Sequence, residues 1–209
     1  MALKVASKLT AFSLQLCKDD YLPFLPAIRI DSLETDNLGR CLEAFGRSLC
    51  TVRYLDVDGK GSFRLNHLLR NQVVLPGVEV ILINWAFRKK FKPMFDALQQ
   101  RFPDLKKVEI FCSEDFHYYG DNSVQDDEEE VYGGIYNEVG DMESFWNKMK
   151  QDMEDASPQE IMINIHLFNI SEKNKEVIEC LHGEEIDQLT YRWTSQKNNL
   201  KTIKLWHHR

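Results

Sequence analysis

The chain has 209 residues, 43% hydrophobic and 28% charged, enough for one domain with a substantial core. No apolar run approaches the roughly 18 residues of a membrane span, and five dispersed cysteines without CxxC or metal-ligand spacing argue for reduced thiols in the cytoplasm or nucleus. The net charge of −7 is uneven: Val108 to Asn147 holds twelve carboxylates and no Lys or Arg, leaving 26 basic against 21 acidic residues elsewhere, so nucleic acid is a poor partner.

In chain order, Val5, Leu9, Phe12 and Leu16 fall at helical spacing and predict a capping helix over residues 1–24 rather than a cleaved leader. Regular repeats follow over 25–111. Seven short stretches share the pattern apolar-x-x-apolar-x-apolar: "LPAIRI" (25–30), "VRYLDV" (52–57), "VEVILI" (78–83), "LKKVEI" (105–110), "MINIHL" (162–167), "IDQLTY" (186–191) and "LKTIKL" (200–205). Their middle apolar residues are Ile28, Leu55, Ile81, Val108, Ile165, Leu189 and Ile203, and the first four lie 27, 26 and 27 residues apart. Val108 to Ile165 is 57 residues, close to two periods, with a degraded copy around Tyr132 and Ile135. Pro23, Pro76 and Pro103 each stand five residues before their anchor, where proline ends a helix and biases the chain toward extended geometry.

Helical stripes alternate with these strands. They are Leu38, Cys41, Leu42, Phe45 and Leu49; Leu65, Leu68, Leu69 and Val73; Phe91, Met94, Phe95, Leu98 and Phe102; and Met142, Phe145, Trp146, Met149 and Met153. Asp31 with Glu34 resembles a capping box, and Ser62 suits the N-cap of a following helix. The stretch "DVDGKGS" has the look of a calcium loop. It offers Lys60 where an oxygen ligand is needed and His67 where the closing Glu should stand, so it reads as a strand-to-helix turn. Residues 112–141 form an acidic insertion or degraded repeat, and 142–209 hold the C-terminal repeats of a single domain, 1–209.

Strand–helix units at a fixed short period stack side by side, because no unit buries its apolar stripe alone. The expected fold is therefore α/β, a solenoid of about seven units with a parallel sheet. "FPDLKKVEIF" and "NLKTIKLW" resemble the proline/asparagine-leucine-x-x-leucine-x-leucine core of leucine-rich repeats, most like the long repeats accompanying F-box and related adaptor proteins. That resemblance implies an adaptor or substrate-recognition part in the ubiquitin pathway. The family's asparagine or cysteine ladder is missing, its sites holding Leu33, Lys60, Ala86, Ser113, Ile170, Thr194 and His208, and no F-box-like segment precedes the repeats. An ordinary α/β sandwich is the alternative fold.

No phosphate loop, dinucleotide fingerprint, HExxH or nucleophile elbow occurs, and no cofactor or metal is expected. Strand residues alternate faces, so the slots flanking each anchor point away from the helices. They carry an unlike mixture of charges, amides and aromatics, which is the composition of a protein interface. The residues expected to meet a protein partner are Arg29, Tyr54, Asp56, Lys107, Glu109, Phe111, His166, Phe168 and Arg192. A second candidate is the acidic run Asp126, Asp127, Glu128, Glu129 and Glu130, set among tyrosines and suited to a basic peptide. The reading is a non-catalytic interaction module, without nucleic acid or membrane. The alternative is an enzyme on a compact α/β fold with a site near His166 and the acidic loop.

Overall fold

A computed structural model describes residues 8–14, 29–35, 52–57, 74–84, 91–114, 142–168 and 178–208. They form one sheet of nine strands and two main helices. In chain order the elements are β1 (Lys8–Leu14), β2 (Arg29–Thr35), β3 (Tyr54–Val57), β4 (Val80–Asn84), α1 (Phe91–Arg101), β5 (Lys107–Glu114), α2 (Met142–Asp155), β6 (Glu160–Phe168), β7 (Glu184–Asp187), β8 (Thr190–Thr194) and β9 (Lys201–His208). Strands β1 to β6 lie side by side in sequence order, every neighbouring pair parallel. Beyond β6 the order becomes β9, β8, β7; β9 is parallel to β6, and the last two strands turn antiparallel.

The strand pattern read from the sequence comes into register in the middle of the sheet. Leu55, Ile81 and Val108 stand directly beside one another in the register of β3, β4 and β5, and all three are fully buried. The apolar positions around them are buried too: Val52 and Val57, Val78 and Ile83, Leu105 and Ile110. Three copies of one pattern therefore become three rungs of one core. At the strand entrances Arg53 and Lys106 both reach Glu79, at 2.8 and 3.2 Å, so the charges alternate in step with the backbone register. Pro76 and Pro103 each sit in a turn just before a strand, as expected, and Pro23 lies outside the described residues.

Helices α1 and α2 cover a single sheet face. A right-handed crossover between successive parallel strands that always step the same way puts each helix on the same side. Phe91, Met94, Phe95, Ala97 and Leu98 of α1 are buried, as are Trp146, Met149 and Met153 of α2, with Phe145 packed at the margin. Pro93 is tolerated in α1 because the first-turn N–H groups have no intrahelical acceptor. One such group, the Lys92 N–H, donates to Asp152 Oδ2 of α2 at 3.2 Å, which ties the two helices together. The C-terminus of α2 is closed from the sheet: the buried Lys201 of β9 donates through Nζ to the carbonyls of Met153, Glu154 and Ala156 at 2.7, 3.1 and 2.7 Å.

Several expectations are corrected. Residues 8–14 are a strand paired in parallel with β2, not part of a capping helix; their hydrogen bonds go to a neighbouring strand, which outweighs helical spacing in an isolated stretch. Asp31 and Glu34 lie inside β2 and so form no capping box. That strand runs through Leu33, which takes the place beside Leu55 assigned to Ile28. Ile165 pairs with Cys112 rather than Val108, whose neighbour is Ile161, although all four are buried. Strands β5 and β6 pair directly, and the degraded copy expected around Tyr132 lies outside the described residues. At the C-terminal end, only Gln188 and Leu189 separate β7 from β8, far too few residues for a crossover, and a hairpin results. Leu189 sits in its turn at 36% exposure, with its N–H donated to Asp187 Oδ1 at 2.9 Å, and Leu200 is half exposed. The stripes at 38–49 and 65–73, with Ser62, Asp58 and the loop that follows, lie outside the described residues.

Candidate protein-interaction face

The sheet face opposite α1 and α2 carries the side chains singled out from the sequence, because alternation along a strand sends every second residue there. Register then arranges them in rows. One row runs Ser32, Tyr54, Val80, Lys107 and Glu160 across β2 to β6. The next runs Glu34, Asp56, Leu82, Glu109, Met162 and Thr202. A third takes Asn84, Phe111, Asn164, Lys204 and Arg192, and a fourth brings His166, Trp206 and Thr190 together.

The electrostatics of this face are locally balanced. Lys107 Nζ pairs with Glu160 Oε1 at 2.7 Å and reaches Glu109 Oε2 at 3.6 Å. The hydrogen bond to Glu160 holds the Lys107 ammonium above its ordinary pKa. Glu109 also accepts a hydrogen bond from Asn164 Nδ2 at 3.0 Å. A carboxylate only accepts, so this contact fixes the amide orientation and turns Asn164 Oδ1 the other way. Asn164 is 2% exposed, and among the described residues neither its Oδ1 nor the Thr202 hydroxyl has a hydrogen-bond partner. Along the fourth row the His166 and Trp206 rings stack with centroids 5.0 Å apart and planes 7° from parallel, and Lys204 Nζ stands 5.8 Å from the Trp206 ring. Tyr54 is the most exposed aromatic on the described part of this face, at 46%.

Tyr54, Asp56, Lys107, Glu109, Phe111, His166 and Arg192 thus share one face, spread over β3, β5, β6 and β8. Arg192 is already engaged with Glu184 of the edge strand, at 3.3 Å. Arg29 and Phe168 lie in β2 and β6, opposite Lys8 and His208 in the backbone register. Asp126, Asp127, Glu128, Glu129 and Glu130 lie outside the described residues. Among the described residues no three His, Cys, Asp or Glu side chains converge as a metal would require, and no helix is long and apolar enough to cross a membrane.

Sequence reasoning passed over Glu160, which anchors Lys107 from the next strand, and Lys201, which closes α2. Glu160 has no signal of its own because it precedes the apolar run of β6. Lys201 was hidden because the pattern took its neighbour Leu200 as the buried residue. Comparison with protein-family models, curated proteins and solved structures returns no match, so the face is interpreted from its own geometry.

Proposed function

We propose that the chain is a non-catalytic interaction module that presents the sheet face opposite the two described main helices to a protein partner. In this reading its strand–helix units form a row like that of leucine-rich repeats, and the module works as an adaptor in the cytoplasm or nucleus. One observation carries the proposal. Parallel strands in chain order put Tyr54, Phe111, His166 and Trp206 among Asp56, Lys107, Glu109 and Lys204 on one side of the sheet, while both described helices lie on the other. A face selected for solubility alone needs no aromatic rings, whereas aromatics ringed by charged groups are what interfaces bury at their centres. A row of stacked units also exposes a broad, slightly varied surface suited to an extended partner.

The test is comparative affinity capture with the native chain and the triple variant Asp56→Ala, Lys107→Glu, Phe111→Ala. A partner held by the native chain and lost by the variant, with unchanged circular dichroism, supports the face. Retention of that partner by the variant refutes it.

A further inference from the structure

A second surface lies where α2 meets the β7–β8 end of the sheet, and Arg192 borders both it and the face just described. The C-terminal half of α2 and the hairpin of β7 and β8 enclose an open cleft of about 660 Å³, lined by Asn147, Lys150, Gln151 and Trp193 among others. That volume is in the range of small-ligand sites, about 300–1,000 Å³. The cleft is shaped by a tight turn. His182 adopts a left-handed backbone (φ 50°), and Gly183 passes so close to β8 that a Cβ there would meet the Arg192 carbonyl oxygen at 3.0 Å. The turn brings the Leu181 carbonyl to Lys150, whose Nζ donates to it at 2.8 Å while standing 5.5 Å from the Trp193 ring centroid.

The charges around the cleft are nearly all matched. Glu154 is held by Lys197 at 2.6 Å and by the Ser195 hydroxyl at 2.7 Å. Glu184 is paired with Arg192 at 3.3 Å, and Glu143 lies 3.7 Å from His182, an ion pair only when that imidazole is protonated. Lys150 is the exception: among the described residues it meets one carbonyl and one aromatic face, with no carboxylate in contact. An ammonium has three donors, and a neutral carbonyl uses only one of them. Burial lowers the Lys150 pKa, opposed only by the field of Glu143, as expected of a partly desolvated cation short of counter-charge.

We infer that this cleft binds an anionic group carried on a flat apolar body, the anion meeting Lys150 Nζ and the body lying along the Trp193 indole. An entering anion supplies the charge Lys150 lacks, in partly dehydrated surroundings where such a bond is stronger than in water. The Asn147 amide also lines the cleft and can donate to the ligand's remaining oxygens, whereas Gln151 Nε2 already donates to Asp155 Oδ2 at 2.9 Å. The chemistry is shared by carboxylates and phosphate esters, and the experiment separates them.

The probes are benzoate, phenyl phosphate and the neutral benzamide, each titrated into the ¹⁵N-labelled full chain while the Trp193 indole N–H resonance is followed. The expected result is a saturable shift with at least one anion, benzamide binding at least about tenfold more weakly, a difference of about 1.4 kcal/mol. The tighter anion identifies the natural group as carboxylate or phosphate. Lys150→Met should erase the anion's advantage, and Lys150→Arg should keep most of it. Equal binding of benzamide, no saturation by either anion, or an advantage that survives Lys150→Met would overturn the assignment. The comparison of anion with benzamide on the native chain holds whether or not the methionine variant folds.

Discussion

Replacing Lys201 with methionine probes how the sheet and its helices are joined. Methionine keeps most of the buried stem but removes the ammonium that bonds the carbonyls of Met153, Glu154 and Ala156. Leaving a buried acceptor without a donor costs about 1–3 kcal/mol. The bond to Met153 is fully buried and pays in full, while the bonds to Glu154 and Ala156 are partly buried and water recovers some of their loss. Against this, burial pushes the Lys201 pKa down, so removing the charge also removes a desolvation cost. The net expectation is a loss of about 2–3 kcal/mol, which at 2–4 °C per kcal/mol for a chain of this size lowers Tm by roughly 4–12 °C. Urea unfolding followed by circular dichroism should show the same loss in midpoint with an unchanged slope. A variant within about 1 °C of the native Tm would mean that the lysine does not hold the helix end.

Other substitutions test separate contacts. Asp152→Ala frees the Lys92 N–H at the start of α1 and should cost about 1 kcal/mol in the urea midpoint, typical of a lost helix cap. Thr202→Val should be neutral or stabilising by a few tenths of a kcal/mol, because the hydroxyl is buried without a partner; a loss above about 1 kcal/mol would show that the hydroxyl is satisfied. The hydrogen bond from Arg53 holds the Glu79 pKa below its ordinary value, with Lys106 adding to it. A depressed carboxylate contributes stability above its unfolded value, near pH 4.3, that is lost as pH falls through the folded one. Glu79→Gln should therefore flatten the acid side of the stability profile, and salt should do the same to the native chain because the group is exposed.

The middle of the fold was legible because local and global signals agree there. Leu55, Ile81 and Val108 recur at 26 and 27 residues, each strand is bounded by turn residues, and each crossover has length for a helix. The same alternation that buries these residues sends Tyr54, Asp56, Lys107 and Glu109 to the opposite face, so part of the candidate face could be read as well. Where the pattern failed, long-range pairing decided. "IDQLTY" matches the strand pattern in composition, yet an exposed acidic edge and a two-residue turn make it a hairpin. In "NLKTIKL" either Leu200 or Lys201 could face inward, and the carbonyls at the end of α2 select the lysine. Residues 8–14 have helical spacing, but the free edge of β2 recruits them as a strand. None of these choices is encoded within the segment that makes it.

The reading of the sheet face is tested most directly by hydroxyl-radical footprinting of the chain with and without a captured protein partner. Tyr54, Phe111, His166 and Trp206 should each lose reactivity on binding, while the outward side of α1 and the cleft residue Trp193 keep theirs. Protection confined to the helices, with those four rings as reactive as before, would contradict it.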